Sequence, residues 1–172
     1  MKNTKRIATS GITAAISVVV MYLAGITDML SLSGVIIAAF AVMFIYVEYG
    51  TKTALSVYAS VAVISFLILP DKFSAATYAL YAGYYPILKA KFESCPKTVS
   101  WALKLGSFNL VLILMIVASR FITAVEAEVP AVELAVFVLA NVLFVLADVL
   151  CGRLAVIYLI KYRPRLKKRG IL

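Results

Sequence analysis

Apolar residues run along this chain in six long stretches, each ended by charged or turn-forming positions: 7–25, 34–49, 53–69, 73–88, 101–123 and 131–160. Most approach the ~20 residues that a helix needs to cross a hydrocarbon core about 30 Å thick. The second and fourth are short, and the last overshoots. An unpaired backbone amide in hydrocarbon costs several kcal/mol, so a lipid-crossing segment of this kind is helical. A β-barrel would require strict alternation of apolar and polar residues, and runs such as LVLILMIVA at 110–118 lack it. The pattern predicts an all-α integral membrane protein. It forms one transmembrane domain over residues 1–172, a six-transmembrane-helix bundle followed by a basic tail at 161–172.

Composition agrees with that pattern. The 172 residues are 64% hydrophobic and the mean hydropathy is +1.03, well above the half-apolar make-up of soluble domains. The first apolar run follows a basic start, MKNTKR. It is longer than the core of a cleaved signal peptide, so it is expected to be retained as the first helix.

The net charge of +9 invites a nucleic-acid reading. The placement of the charges argues against that partner, because the basic residues fall in alternate gaps between the apolar runs. Lys2, Lys5 and Arg6 precede the first run, and Lys52 separates the second from the third. Lys89, Lys91, Lys97 and Lys104 surround the fourth-to-fifth connection, and Lys161, Arg163, Arg165, Lys167, Lys168 and Arg169 follow the last run. The other gaps hold Asp28, then Asp71 with Lys72, then Glu126, Glu128 and Glu133. Cytoplasmic loops carry the excess of Lys and Arg. The expectation is a multi-pass protein of the cell membrane with both termini in the cytoplasm. The tail can also touch anionic lipid.

Candidate chemistry is sparse. The chain has no histidine, which excludes a Ser-His-Asp triad and argues against zinc, haem and imidazole acid–base work. Its two cysteines, Cys95 and Cys151, fit no metal-ligand spacing. No nucleophile with a base and no paired carboxylates stand out. No catalytic residue, metal or cofactor is assigned, and the expectation is a protein that is not an enzyme.

The most unusual segment is SAATYALYAGYYP at 74–86. On a helical wheel of about 100° per residue, Ala75, Ala76, Ala79, Ala82 and Gly83 take one side and Tyr78, Tyr81, Tyr84 and Tyr85 the other. Small residues allow close helix approach in lipid. Tyr84 and Tyr85, beside Pro86 and Lys89, suit the aromatic belt at the headgroup level. Tyr78 and Tyr81 fall deeper, where a phenol needs a partner or a wet cavity; they either extend that belt or line a ligand site.

Other polar positions within the runs read both ways too. Asn141 and Asn109 are interhelical hydrogen-bonders or, for Asn141, part of a solute site. Arg120 snorkels outward, pairing with Glu126 or Glu128, or else it or Lys72 anchors an anionic ligand. Asp148 and Arg153 stand five residues apart, a poor spacing for an intrahelical pair, so each is expected to pair with another helix or reach the interface. On the first run, Ala8, Gly11 and Ala15 share a narrow face and Ser10, Ala14 and Ser17 another; one face can pack internally while the other meets a partner subunit.

With six short apolar runs, inward termini, a first helix TKRIATSGITAAISVV, a second run passing directly into the third through VEYGTKTALSVYASV, and a basic tail, the chain resembles the substrate-binding S components of energy-coupling factor (ECF) transporters. The resemblance covers nearly the whole chain. It implies a membrane subunit that binds a vitamin-like small solute in its outer half. A solute-binding subunit would be expected to line its site with Tyr78, Tyr81 and Asn141, with Arg120 or Lys72 as a basic anchor. The subunit would dock on a transmembrane coupling subunit driven by separate cytoplasmic ATPases, through Ala8, Gly11 and Ala15. The family pattern there is Ala-x-x-x-Ala, whereas this chain has Gly11-x-x-x-Ala15, and its literal Ala75-x-x-x-Ala79 lies in the fourth run. The chain is also similar in length and span count to the cell-shape membrane protein MreD, which implies a non-catalytic scaffold of cell-wall synthesis.

Overall fold

The structure, a computed structural model, describes residues 2–27, 30–123 and 130–164. Among them there is no strand. The elements are α1 (Lys2–Ile26), α2 (Ser31–Ile68), α3 (Lys72–Thr77), a π turn (Tyr78–Ala82), α4 (Tyr85–Phe92), α5 (Lys97–Thr123), α6 (Pro130–Ile157) and a second π turn (Tyr158–Tyr162). Among the described residues four helical segments are long and apolar enough to cross a membrane: Asn3–Ile26, Ser31–Ile68, Lys97–Ala118 and Val132–Tyr162. The chain divides into two compact units, Met1–Leu88 with Cys151–Leu172, and Lys89–Leu150.

In the first unit, α2 is not a straight rod. A straight helix of that length would separate residues 34 and 65 by about 46 Å. Yet both meet the same turn of α1. A Cβ on Gly34 would come within 2.6 Å of Ala24 Cβ and 3.3 Å of Met21 Cα, and Ser65 Oγ donates to Met21 Sδ at 3.8 Å. Tyr49, midway between them, donates instead to Thr9 Oγ1, at 3.3 Å, near the other end of α1. The chain therefore folds back at Gly50, whose φ of 79° and ψ of −178° lie in a region open essentially to glycine alone. The Thr53 hydroxyl caps the Tyr49 carbonyl across this reversal, at 3.3 Å. The two arms are about 28 Å and 27 Å long, each close to the hydrocarbon thickness.

Pro70 ends the second arm, because the residue before a proline favours extended backbone and Leu69 adopts it (φ −68°, ψ 133°). Asp71 then caps α3, its carboxylate accepting from the amides of Phe73 (2.9 Å) and Ser74 (3.3 Å) and from the Ser74 hydroxyl. Burial pushes this carboxyl upward, but those bonds and one from the Ser31 side chain outweigh burial and hold it below the ordinary aspartate range. The unit's core joins α1, both arms of α2 and residues 72–88 through Ala14, Val18, Met21, Val42, Val61 and Tyr78, among others. Ala8, Gly11 and Ala15, on the other face of α1, are exposed, and nothing lies within 4 Å of a Cβ built on Gly11.

In the second unit, α5 and the adjoining part of α6 run antiparallel in a register set by three contacts. Lys104 meets Asp148 (3.1 Å), the rings of Phe108 and Phe144 stack at 4.3 Å, and Asn109 pairs with Asn141. Most other side chains on these helices are uncovered and apolar, among them Leu110, Leu114, Leu134 and Leu139. Exposed apolar helices of this kind are consistent with a membrane protein.

Candidate functional site

The π turn governs the geometry around Tyr78. Its closing hydrogen bond runs from the Gly83 amide to the Tyr78 carbonyl, at 2.8 Å. Pro86 lacks the amide that would bond the Ala82 carbonyl, so regular helix resumes only at Tyr85. A five-residue turn brings Gly83 around to the Tyr78 side, not the opposite side that the regular wheel predicts. A Cβ there would lie 2.8 Å from two Tyr78 ring atoms and 2.5 Å from Tyr58 Cδ2. The glycine is the floor on which two phenol rings rest.

Tyr58, on the second arm of α2, completes an aromatic cluster with Tyr78 (6.0 Å between ring centroids) and Tyr84 (5.6 Å), and Tyr81 stacks on Tyr85 at 5.1 Å. The Tyr58 hydroxyl donates to the Ala79 carbonyl at 2.6 Å, and that of Tyr84 to the Leu80 carbonyl at 2.6 Å. Tyr85 is buried. Tyr78 is fully buried, and its hydroxyl has no hydrogen-bond partner among the described residues.

The other expected binding residues are placed differently. Asn141 belongs to the second unit, where it exchanges two hydrogen bonds with Asn109 (3.0 and 2.9 Å) and gives another to the Phe137 carbonyl. It also borders an open apolar groove of about 430 Å³ lined by Phe137, Val138, Val142, Val145 and Leu146, all residues of α6. Lys72 Nζ donates to the Phe66 carbonyl at 2.7 Å. The side chain of Arg120 lies outside the described residues, as do Asp28, Glu126, Glu128 and residues 165–172. Tyr78 and Tyr81 are thus brought into one cluster, within a different unit from Asn141.

No family model, curated protein or solved structure matches this chain.

Two charged clusters escaped the reading of the sequence. In the second unit, Asp148 accepts from Lys89 through Oδ1 and lies 3.1 Å from Lys104 through Oδ2; Lys89 also donates to the Asp148 carbonyl at 2.8 Å. Glu93 Oε1 lies 3.1 Å from Lys89 Nζ and 2.9 Å from Lys104 Nζ. Partial burial raises the Glu93 carboxyl, but the hydrogen bonds and charges of Lys104 and Lys89 outweigh that and hold it below the usual glutamate range. In the first unit, Glu48, nearly buried, accepts from the Tyr158 hydroxyl at 2.9 Å. Its Oε1 also sits 3.0 Å from Arg163 Nε, close enough for an ion pair although the angle does not make a hydrogen bond. The available signal was depth: Lys104 and Asp148 both fall inside apolar runs, where a charge needs an opposite partner.

Proposed function

We propose that this chain is the substrate-binding subunit of an ECF-type micronutrient-uptake transporter, with an S-component-like bundle of six crossings and both termini in the cytoplasm. The crossings are α1, the two arms of α2, the 72–92 segment, α5 and α6. Support for counting α2 twice comes from its reversal at Gly50; support for the fourth comes from its length, about 31 Å at helical rise. The chain binds and presents a solute, and separate ATPases act through a transmembrane coupling subunit.

One observation carries the proposal: the buried Tyr78 hydroxyl without a hydrogen-bond partner among the described residues. Leaving such a group unsatisfied costs about 1–3 kcal/mol, and a solute bearing a hydrogen-bond acceptor beside Tyr78 and Tyr81 would remove that penalty. The uncovered face of Ala8, Gly11 and Ala15 suits close docking by a second membrane protein.

A thermal-shift screen of the detergent-purified protein against vitamins and small carboxylates tests this. A ligand at one hundred times its dissociation constant adds about 2.7 kcal/mol. The stabilising compound should lose its effect on Tyr78→Phe. Absence of any shift across the screen contradicts the proposal.

The reciprocal pairing of Asn141 with Asn109 and the occupied ammonium of Lys72 favour a second reading, an MreD-like scaffold without a ligand. That reading expects no compound to stabilise the protein, and no difference between Tyr78→Phe and wild type in the screen.

A further inference from the structure

We propose that Lys89 and Lys104 form a binding site for a phosphate-type anionic oxygen, and that Glu93 is its resident, displaceable occupant. Lys89, Lys104 and Asp148 are each more than nine-tenths buried and together carry one net positive charge. A buried charge left uncompensated is among the costliest arrangements a protein can hold, so one further anion is required. Glu93 supplies it in an unusual manner. It uses a single oxygen, Oε1, for both ammonium groups, while half of its side chain is exposed against 4% for Asp148. Asp148 is the fixed counter-ion, held by two elements through both carboxylate oxygens and its own carbonyl. Glu93 is the solvent-facing vertex, at the end of α4, and gives up little solvation difference by swinging outward.

When Glu93 leaves, two N–H donors converge on one vacated point. A phosphate oxygen entering it restores neutrality and accepts from both lysines, as charge-assisted bonds favour. The surroundings suit that ligand. The Trp101 ring lies 5.3 Å from Lys104 Nζ and is partly exposed, as expected where an indole marks the headgroup level. Lys91 and Lys97 flank the site in sequence and raise the local concentration of anions. The phosphate can belong to a lipid headgroup or to a free phosphate compound.

The test uses the full chain in a non-ionic maltoside detergent, which carries no phosphate. Native mass spectrometry reads retention of phosphatidylglycerol against phosphatidylcholine, and calorimetry reads binding of inorganic phosphate. Glu93→Gln should tighten anion binding, by about tenfold for a competitor that would occupy about nine-tenths of the sites. Lys104→Gln should abolish it. Phosphatidylglycerol selectivity alone assigns the site to a headgroup; inorganic phosphate binding assigns it to free phosphate. The proposal is overturned if neither probe binds, or if Glu93→Gln gains nothing. Because the Glu93 variant is expected to gain binding, a folding failure in the lysine variant cannot imitate support.

Discussion

Tyr58 gives its hydroxyl proton to the main-chain oxygen of Ala79 across 2.6 Å, tying the second arm of the α2 hairpin to the π turn. A π turn shifts the register of backbone pairing, and this phenol satisfies a carbonyl within the shifted segment. Tyr58→Phe keeps the ring and removes the donor. We expect a loss of about 0.5–1.5 kcal/mol, the net worth of one part-buried hydrogen bond, read as a lower unfolding midpoint in detergent. Tyr84→Phe, whose hydroxyl bonds within its own exposed turn, should change the midpoint less.

Glycines on the same helices divide by what a methyl group would meet. Gly83→Ala forces a methyl into the Tyr78 and Tyr58 rings, and Gly34→Ala forces one to 2.6 Å from Ala24 Cβ. Overpacking of this kind costs about 1–3 kcal/mol. Gly50→Ala is strained by its positive φ, at a similar ~1–3 kcal/mol. Gly11→Ala meets nothing and replaces a poor helix former, so it should be neutral or stabilise by up to about 1 kcal/mol. Unfolding midpoints of the four variants check this ordering, and a stability loss for Gly11→Ala as large as that for Gly34→Ala would refute it.

Two carboxyls outside the apolar runs, Asp71 and Glu93, are held below their ordinary ranges. A carboxyl depressed in the folded state contributes stability that is complete above its unfolded value and disappears as pH falls through its folded value. The unfolded values are about 3.9 and 4.3. Thermal stability should therefore be level above about pH 5 and fall beneath pH ~4. The variant Asp71→Asn/Glu93→Gln keeps a capping side chain at position 71 and should lose less stability than wild type between pH 5 and pH 3. Equal losses would show that neither carboxyl contributes.

Much of this architecture is visible in the residues, and the reasons for the remainder are physical. The apolar runs ending at Tyr49 and resuming at Thr53 already mark the reversal, because charge and glycine interrupt a helix at a local level. The π turn is hidden because a wheel presumes regular spacing; a single added residue moved Gly83 beneath Tyr78. The charge cluster is hidden for another reason. Lys104 and Asp148 are 44 residues apart, and only the packing of α5 on α6 reveals that one neutralises the other. Reading Lys89 and Lys104 as markers of topology was compatible with their position but blind to their burial. For Asn141, sequence depth pointed correctly to an interhelical amide as one of its two readings, and Asn109 is the partner.

The Gly50 reversal also separates two topologies that composition leaves together. If α2 crossed once, position 52 would lie within the bilayer, position 72 would return to the side of Lys5, and the parity of every later element would change. With two crossings, Lys52 returns to the side of Lys5, and Lys72 lies opposite to both. Single-cysteine variants at positions 5, 52, 72 and 161, in a background with Cys95 and Cys151 replaced by serine and alanine, test this in intact cells. A membrane-impermeant maleimide should label position 72 from outside and leave positions 5, 52 and 161 unlabelled until the membrane is opened. Labelling of 52 from outside would remove the hairpin crossing, and labelling of 161 alone would leave the hairpin intact while breaking the even number of crossings that brings the basic C-terminal residues back to the side of Lys5.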